Sequence, residues 1–339
     1  MFLKWLESHF FLLGYNPVNH TCPRVIVKDF FNISGPSKLK AYHIAKCIVK
    51  YKGNIIFLYF VESISFLIDF IVGDILIKIG IIGGTGVYDP SILINVRHVE
   101  TKTPYGMVSY KVGDFAGKSI AFIPRHGSKH SIAPHLINYR ANIWALKKIG
   151  VSTILATAAV GSLHLPMKLG DFVLVDQFID FTKNRVTTFH DGGERGVVHV
   201  DLTNPYCTSL RDKLLVVAQN SGLAVHSQGT YVCTEGPRFE TPAEIAMFSK
   251  LGGHLVGMTS VPEVVLAREA EMCYATIAMV TNFAAGISGV PLTYGEVMKI
   301  MKQNTENLKT LLMDTIKLID IEADCSCQHA LAEYGGFKI

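Results

Sequence analysis

The chain has 339 residues, 49% of them hydrophobic and 18% charged, which supports a large packed core and excludes a mainly disordered, collagenous or low-complexity protein. Its formal net charge is +4, from 32 Lys+Arg against 28 Asp+Glu, so a broad nucleic-acid-binding surface is excluded too. The seven cysteines, odd in number and scattered from Cys22 to Cys327, lack the spacing of a secreted disulfide framework and point to the cytoplasm.

Residues 1–75 are rich in Phe, Ile, Leu and Lys and carry no catalytic spacing. Within them, Asn54–Gly73 is long enough for a bilayer, which takes about 20 apolar residues. Glu62 and Asp69 interrupt that run, and a carboxylate near the bilayer centre costs about 2.5–3.5 kcal/mol, so membrane contact of 54–73 is not expected. Glu7 breaks the short apolar opening and no small-residue cleavage site follows, which argues against a secretory signal. These residues form an atypical N-terminal extension. Whether it is structured, membrane-associated or outside the working protein is left open.

From residue 76 the pattern becomes strand, glycine turn and helix, repeated. Apolar runs at Leu76–Ile82, Ser119–Ile123, Thr153–Thr157, Phe172–Val175 and Ala275–Val280 predict strands. Helical periodicity is read over Pro134–Ile149, Pro205–Ser221, Pro242–Lys250, Pro262–Met272 and Tyr294–Leu318. This alternation predicts one α/β domain over 76–330, a sheet covered on both faces by helices, with a tail at 331–339.

Chemistry-bearing residues cluster at the ends of these strands. Gly80–Gly86 (GIIGGTG) suits either an anion cradle or a tight turn, and it has the spacing of neither a dinucleotide fingerprint nor a P-loop. Arg125-His126 offers a planar fork and an imidazole, which suit phosphate but equally describe a surface Arg and a satisfied His. His126, His130 and His135 lack an acidic partner, and Gly127 and Pro134 interrupt them, so no metal is expected there. Thr157–Ser162 (TAAVGS) supplies small residues beyond a strand, for a ligand or for close packing. In Glu235–Glu244 (EGPRFETPAE), Phe239 can stack on a flat heterocycle and Glu240 can accept from a ring N–H, or Glu240 and Thr241 can cap the next helix. Asn282, after the strand ATIAMV, carries both a donor and an acceptor and can read two adjacent atoms of a base, or simply turn the chain.

Taken together and in order, IGIIGGTG, PRHG, NYRANIWALKKIG, GDFVLVDQFID, EGPRFET, GMTSVPEVVLAREA and TNFAAG resemble the purine nucleoside phosphorylase and methylthioadenosine phosphorylase family from about Lys78 to Leu318. The resemblance implies a single three-layer domain with a central mixed β-sheet flanked by helices. It also implies phosphorolysis, in which inorganic phosphate attacks C1′ of a purine nucleoside with inversion and releases free base and a pentose 1-phosphate. By similarity, Thr85, Arg125, His126, Ala159 and Thr259 hold phosphate; Met258 lies near the pentose; and Phe239, Glu240, Asn282, Phe283 and Ala284 meet the base. Catalytic roles are expected for Asn282, Glu240 and His126. No cofactor and no metal are implied, since phosphate is a co-substrate. A homotrimer or dimer of trimers and a cytoplasmic place in purine salvage are implied as well.

The base preference follows from hydrogen bonding. Branches acting on 6-aminopurines look to have Asp where this chain has Asn282, and a second Asp at the place of Ala284. Asn282 can donate to O6 and accept from N7–H, while Glu240 accepts from N1–H of hypoxanthine or guanine. Adenine would set an acceptor against that carboxylate, and an unpaired buried group costs about 1–3 kcal/mol. The expectation is therefore a 6-oxopurine nucleoside (inosine, guanosine or 5′-methylthioinosine), with 5′-methylthioadenosine as the alternative. Tyr294 stands where the 6-oxopurine branch has a His near the 5′-hydroxyl, and it suits either a hydroxyl or a thioether. Cys325-Ser326-Cys327 resembles a C-x-C feature of some members, and a reduced pair, a labile bridge or two unpaired surface thiols are all open. Two other classes fit the sequence less well: a non-catalytic purine or phosphate sensor anchored to a membrane by residues 54–73, and a Rossmann oxidoreductase, for which the G-x-G-x-x-G turn is missing.

Overall fold

The computed structural model describes residues 25–33, 42–51, 54–61, 77–85, 87, 93–127, 130–193, 196–289 and 293–339. Its contacts divide the chain into two units, Met1–Ile75 and Leu76–Ile339. In the first, β1 (Val25–Ile33), β2 (Tyr42–Tyr51) and β3 (Asn54–Val61) pair antiparallel in that order. The apolar run at Asn54 thus begins as a strand, and its continuation past residue 61 lies outside the described residues. Among the described residues, no helix is long and apolar enough to cross a membrane.

The second unit is organised around two long central strands. β8 (Thr153–Ser162) and β14 (Cys273–Phe283) run parallel side by side, and nearly every residue of both is buried. Continuous burial is what a strand covered on both faces requires, and it explains why these segments read as apolar runs without alternation. One core joins the sheet to α1 (Tyr139–Lys148) and α4 (Ser260–Glu269), through Trp144, Leu146, Val264 and Leu266. On the other face, Leu210, Leu214, Leu308 and Leu311 pack α2 (Thr208–Asn220) and α5 (Tyr294–Leu318) against it. The result is three layers.

The sheet is mixed. Beyond β8 lie β4 (Ile79–Gly83) and β7 (Lys118–Pro124), both parallel to it, then the antiparallel hairpin of β6 (Gly106–Phe115) and β5 (Ile94–Thr103). In the other direction β13 (Leu255–Gly257) pairs antiparallel with β8, followed by β12 (Thr230–Thr234) and β10 (Gln177–Phe181). β9 (Phe172–Leu174) runs antiparallel to β14 and carries β11 (Val225–His226).

One irregularity of this sheet positions the site. β4 pairs with Thr153–Ala156 of β8, and β13 pairs with Gly161 and Ser162 on the same strand. The two strands approach each other head-on and stop, leaving residues 157–160 of β8 bare between them. A sheet that opens in mid-strand creates a backbone-lined notch deep in the domain.

Three predicted strands begin or end within a few residues of their expected bounds, and the helices α3 (Pro242–Lys250) and α5 occupy their expected spans. The run Pro134–Ile149 is a 3-10 turn at Pro134–Leu136 followed by α1, because Asn138 caps α1 by accepting from the Ala141 amide. The tail is fastened: Glu271 accepts from the amides of Leu331 and Phe337, and the Phe337 ring meets Trp144 and Phe189.

Candidate active site

The notch opens into a cleft of about 240 Å³. Gly84 and Thr85 arrive from the end of β4, and Met258 and Thr259 from the end of β13; Ala158–Gly161 form its floor. Side chains and peptide groups alternate along a strand, so residues 157, 159 and 161 present their backbone groups to one edge and 158 and 160 to the other. The Val160 carbonyl accepts from Thr281 on the β14 side, while Thr157 faces the notch. Ala159 therefore turns its amide into the notch.

Close approach explains Gly84. Its amide donates to Thr157 Oγ1 at 2.8 Å, and a Cβ there would lie 2.9 Å from an Arg125 nitrogen and closer still to the Thr157 carbonyl. Only glycine lets the loop lie against β8.

Arg125 follows β7 and is buried, which corrects the alternative of a surface Arg. Its Nε and one terminal nitrogen donate to both oxygens of Glu263, at 2.7 and 2.6 Å, and its other terminal nitrogen donates to the Thr157 carbonyl at 2.8 Å. Burial opposes its charge, but Glu263 more than offsets this and holds the guanidinium protonated. Five N–H donors with three engaged leave two for an anion in the cleft, which Arg125 lines. Tyr274 donates its hydroxyl to Glu263 at 2.7 Å, fixing the carboxylate from behind.

His126 also lines the cleft and is buried. Its Nδ1 lies 2.9 Å from the Ile132 carbonyl, which can only accept, so Nδ1 carries the proton and Nε2 is an acceptor. Burial, with Arg125 and His130 adding repulsion, pushes its pKa down to about 4 against the one favourable carbonyl contact. The ring is therefore neutral at pH 7 and can accept the remaining proton of a hydrogen phosphate. The His130 ring lies against it, centroids 4.5 Å apart and planes tilted by 41°, and burial lowers its pKa too.

The other half of the cleft is built for a flat polar ring. Glu240 accepts from Thr234 Oγ1 at 2.6 Å; burial raises its pKa, with that hydrogen bond opposing. The capping role belongs instead to Thr241, which forms a capping box with Glu244 and leaves Glu240 to face the cleft. Asn282 is buried at the end of β14; Oδ1 accepts from Thr281 at 2.9 Å and Nδ2 donates to the Phe283 carbonyl at 3.0 Å. These contacts orient the amide and leave it one acceptor and one donor position. A Cβ on Gly161 would lie 3.0 Å from Nδ2, so that glycine makes room for the amide. Phe239, Ala284 and Tyr294 line the cleft as expected, with Phe239 41% and Tyr294 51% exposed at its rim. Phe283 does not line it: it reaches the site only through the carbonyl that holds Asn282.

Two positioning residues were not singled out from the sequence. Glu263 sat within a quoted motif, and its signal was a lone charge in an apolar helical stretch. Arg185 gave no signal. Its guanidinium donates to the carbonyls of Thr234, Glu235, Met258 and Val261 at 2.7–3.1 Å, tying the strand ends that carry Glu240 and Thr259 into one frame.

Residues 78–317 match the family model of the phosphorylase superfamily. The chain belongs to the phosphorylase superfamily. Among relatives of this phosphorylase, the 6-oxopurine nucleoside phosphorylase of Pyrococcus furiosus is 54% identical over 260 residues, covering 75% of this chain and 97% of its own. The S-methyl-5′-thioadenosine phosphorylase of Thermofilum pendens is 49% identical over 259 residues, covering 76% and 98%. Among solved structures, methylthioadenosine phosphorylase from Schistosoma mansoni in complex with adenine superposes with a TM-score of 0.71 at 34% identity, covering 76% and 96%. The superfamily match begins at residue 78, so it leaves the first unit outside.

Proposed function

We propose that this phosphorylase cleaves 6-oxopurine nucleosides with inorganic phosphate, yielding free base and pentose 1-phosphate. The observation that carries the reading is the sharing of one cleft by Asn282 and Glu240 on one side and Arg125 and His126 on the other. A carboxylate and an oriented amide match N1–H, O6 and N7–H of hypoxanthine or guanine. The notch between β4 and β13, with the guanidinium, a bare Nε2 and the Ala159 amide, matches hydrogen phosphate beneath the sugar.

Chemically, the protein's task is positioning and electrostatics. Phosphate held under C1′ is the nucleophile and also stabilises the positive charge that develops on the sugar as the glycosidic bond breaks. Negative charge flows into the leaving purine, where a proton taken up from solvent at N7 and held by Asn282 Oδ1 neutralises it, while the phosphate gives up its own proton as pentose 1-phosphate forms. No side chain needs to become covalently attached, and the reading assigns no cofactor. Thr85 and Thr259 complete the phosphate seat, Met258 underlies the pentose, and Tyr294 borders the 5′ end.

The exposed aromatic rim, with Phe239 41% and Tyr294 51% exposed, supports assembly of copies around the cleft, read as a trimer or dimer of trimers. A cytoplasmic place in purine salvage completes the reading. The test is a panel of inosine, guanosine, adenosine and the two 5′-methylthio-nucleosides, each with and without phosphate. Phosphate-dependent release of hypoxanthine or guanine is expected. Turnover of 5′-methylthioadenosine well above inosine would replace this reading with the alternative, and no phosphate-dependent release from any of them would end it.

A further inference from the structure

Behind the base half of the cleft stands a hydroxyl that the reaction as described does not use. Thr234 ends β12, is buried, and does not line the cleft. Its backbone is held in place: β12 is paired with β10 on one side and β13 on the other, and the Arg185 guanidinium donates to the Thr234 carbonyl at 3.1 Å. The side chain is therefore a donor on a fixed mount. Two acceptors lie within its reach, Oε1 of Glu240 at 2.6 Å and the Gly257 carbonyl at 3.4 Å. A hydroxyl has a single proton to give, and the shorter contact has the length of a charge-assisted O–H···O⁻ bond, about 2.5–2.7 Å. The proton goes to Glu240.

We propose that Thr234 is a positioning residue for base recognition: by donating to Oε1 it keeps the Glu240 carboxylate ionised and turned so that its other oxygen meets N1–H of a 6-oxopurine. The proposal rests on the 6-oxopurine reading and adds the group that makes the carboxylate fit for it. Glu240 needs such support. Burial is the largest influence on its pKa and raises it, and the Thr234 hydrogen bond is the first to oppose this, followed by its own amide. Of its charged neighbours, Glu244 raises the pKa and Arg238 lowers it. Arg238 is engaged with Glu244, donating to both of its oxygens at 2.9 and 2.7 Å. The other titratable groups lining the cleft are Arg125, His126, His130 and Tyr294, and Arg125 is held by Glu263. Among the described residues, the Thr234 hydroxyl is the one side-chain donor bonded to Glu240.

The second acceptor gives the hydroxyl somewhere to turn in acid. When Glu240 takes up one proton from solvent, its carboxyl O–H donates to Thr234 Oγ1, and the Thr234 proton swings to the Gly257 carbonyl, so both protons keep an acceptor. Gly257 is fixed for this role, because a Cβ there would collide with the Tyr231 hydroxyl, which itself accepts from the Thr259 amide at 3.3 Å. The acid form is thus an ordered alternative of the same site, and it has lost the acceptor that N1–H requires.

The test compares the parent with Thr234→Val and Thr234→Ser in the full chain. Valine keeps the branched shape and removes the hydroxyl, and serine restores the donor. The pH profile of kcat/KM for inosine is measured at saturating phosphate. In Thr234→Val the acid limb should move to higher pH by about one unit or more, as expected for loss of a hydrogen bond to a charged group. The loss should fall on the inosine KM, about tenfold at pH 6 and within about threefold at pH 8.5, with the phosphate KM within about twofold of the parent at both. Thr234→Ser should restore the parent profile. In ligand-free protein, the carbon-13 signal of the Glu240 carboxyl, identified by its absence in Glu240→Gln, should titrate at higher pH in Thr234→Val than in the parent. Thr234→Ala removes the same donor with less bulk and serves where the valine variant does not fold. A loss by the same factor at every pH, or an unmoved limb and an unmoved Glu240 titration in folded variants, would overturn the proposal while leaving the 6-oxopurine reading in place. A parent that releases no hypoxanthine from inosine would end that reading and the proposal with it.

Discussion

Arg125 and Glu263, 138 residues apart in sequence, meet in a two-bonded pair at 2.7 and 2.6 Å, with both side chains 1% exposed. The pair fixes the plane in which the two remaining guanidinium N–H groups can meet an anion. It also joins the end of β7 to α4, so the proposed anion seat and the fold share one interaction.

Removing one member of such a pair leaves a buried charge without its partner, which costs about 3–5 kcal/mol. Glu263→Ala should lower stability by about that amount in urea melts and raise the phosphate KM while leaving the nucleoside KM nearly unchanged. Glu263→Gln retains the shape and one acceptor and should fall between the two. A phosphate KM unaltered in a folded Glu263→Ala protein would show that Glu263 does not position the anion site.

Asn282 is the residue on which base choice should turn. Replacing its amide with a carboxylate removes the donor aimed at O6 and supplies acceptors for a 6-amino group. Asn282→Asp should move the ratio of adenosine to inosine kcat/KM towards adenosine by about tenfold or more, the equivalent of roughly 1.4 kcal/mol or one hydrogen bond to a charged group. Gly161→Ala acts on the same amide by crowding, since the added Cβ would stand 3.0 Å from Nδ2. It should raise the nucleoside KM without changing base choice. An unchanged ratio in Asn282→Asp would remove Asn282 from base reading.

Glu240 connects specificity to pH. Burial raises its pKa, so the native state holds its proton more tightly than the unfolded chain, and this carboxylate loses stability as pH rises through that window. The same ionised form is needed to accept from N1–H. Activity on inosine should therefore fall on the acid side at a pH above the ordinary carboxylate range. Glu240→Gln should cost about 10²–10⁴ in kcat/KM for inosine while leaving the ligand-free protein at least as stable at pH 7. Equal activity of the variant and parent on inosine would contradict the assignment.

Much of the fold was legible because burial on both faces leaves a plain mark: Ile79–Gly83 and the core of β14 are unbroken apolar runs. The capped helix Pro242–Lys250 was equally legible from its Thr, Pro and Glu. The hairpin of β5 and β6 was not, since β5 (INVRHVETKT) is exposed over its first half, and the alternation from Val99 to Thr103 buries threonines rather than large apolar side chains. β13 has three residues, too few for any period, yet where it stops defines the notch. The residues around the cleft were recognisable one by one as donors, acceptors and anion binders. Glu263 and Arg185 were harder to see because they act on other protein groups, and no local spacing records a partner that arrives from a distant strand.

His126 provides a test of the phosphate half that needs no substrate. Its pKa falls from 6.5 to about 4 on folding, because the buried ring, beside Arg125 and His130, resists a second proton. Between those values the unfolded chain binds a proton that the native state refuses, so stability drops as pH falls from about 6.5 to 4 and is unaffected by this group above pH 7. The difference is on the order of 3 kcal/mol at about 1.36 kcal/mol per pH unit. His130, also lowered by burial, adds to the loss in the same direction. His126→Gln cannot titrate, so urea melts at pH 7 and pH 4.5 should show a smaller acid penalty than in the parent, by about 1–3 kcal/mol. The same variant lacks the neutral Nε2 acceptor and should bind phosphate more weakly at pH 7. An acid penalty identical in parent and variant would mean that His126 takes up its proton as readily folded as unfolded, and a neutral acceptor beneath the sugar would then have to be sought elsewhere.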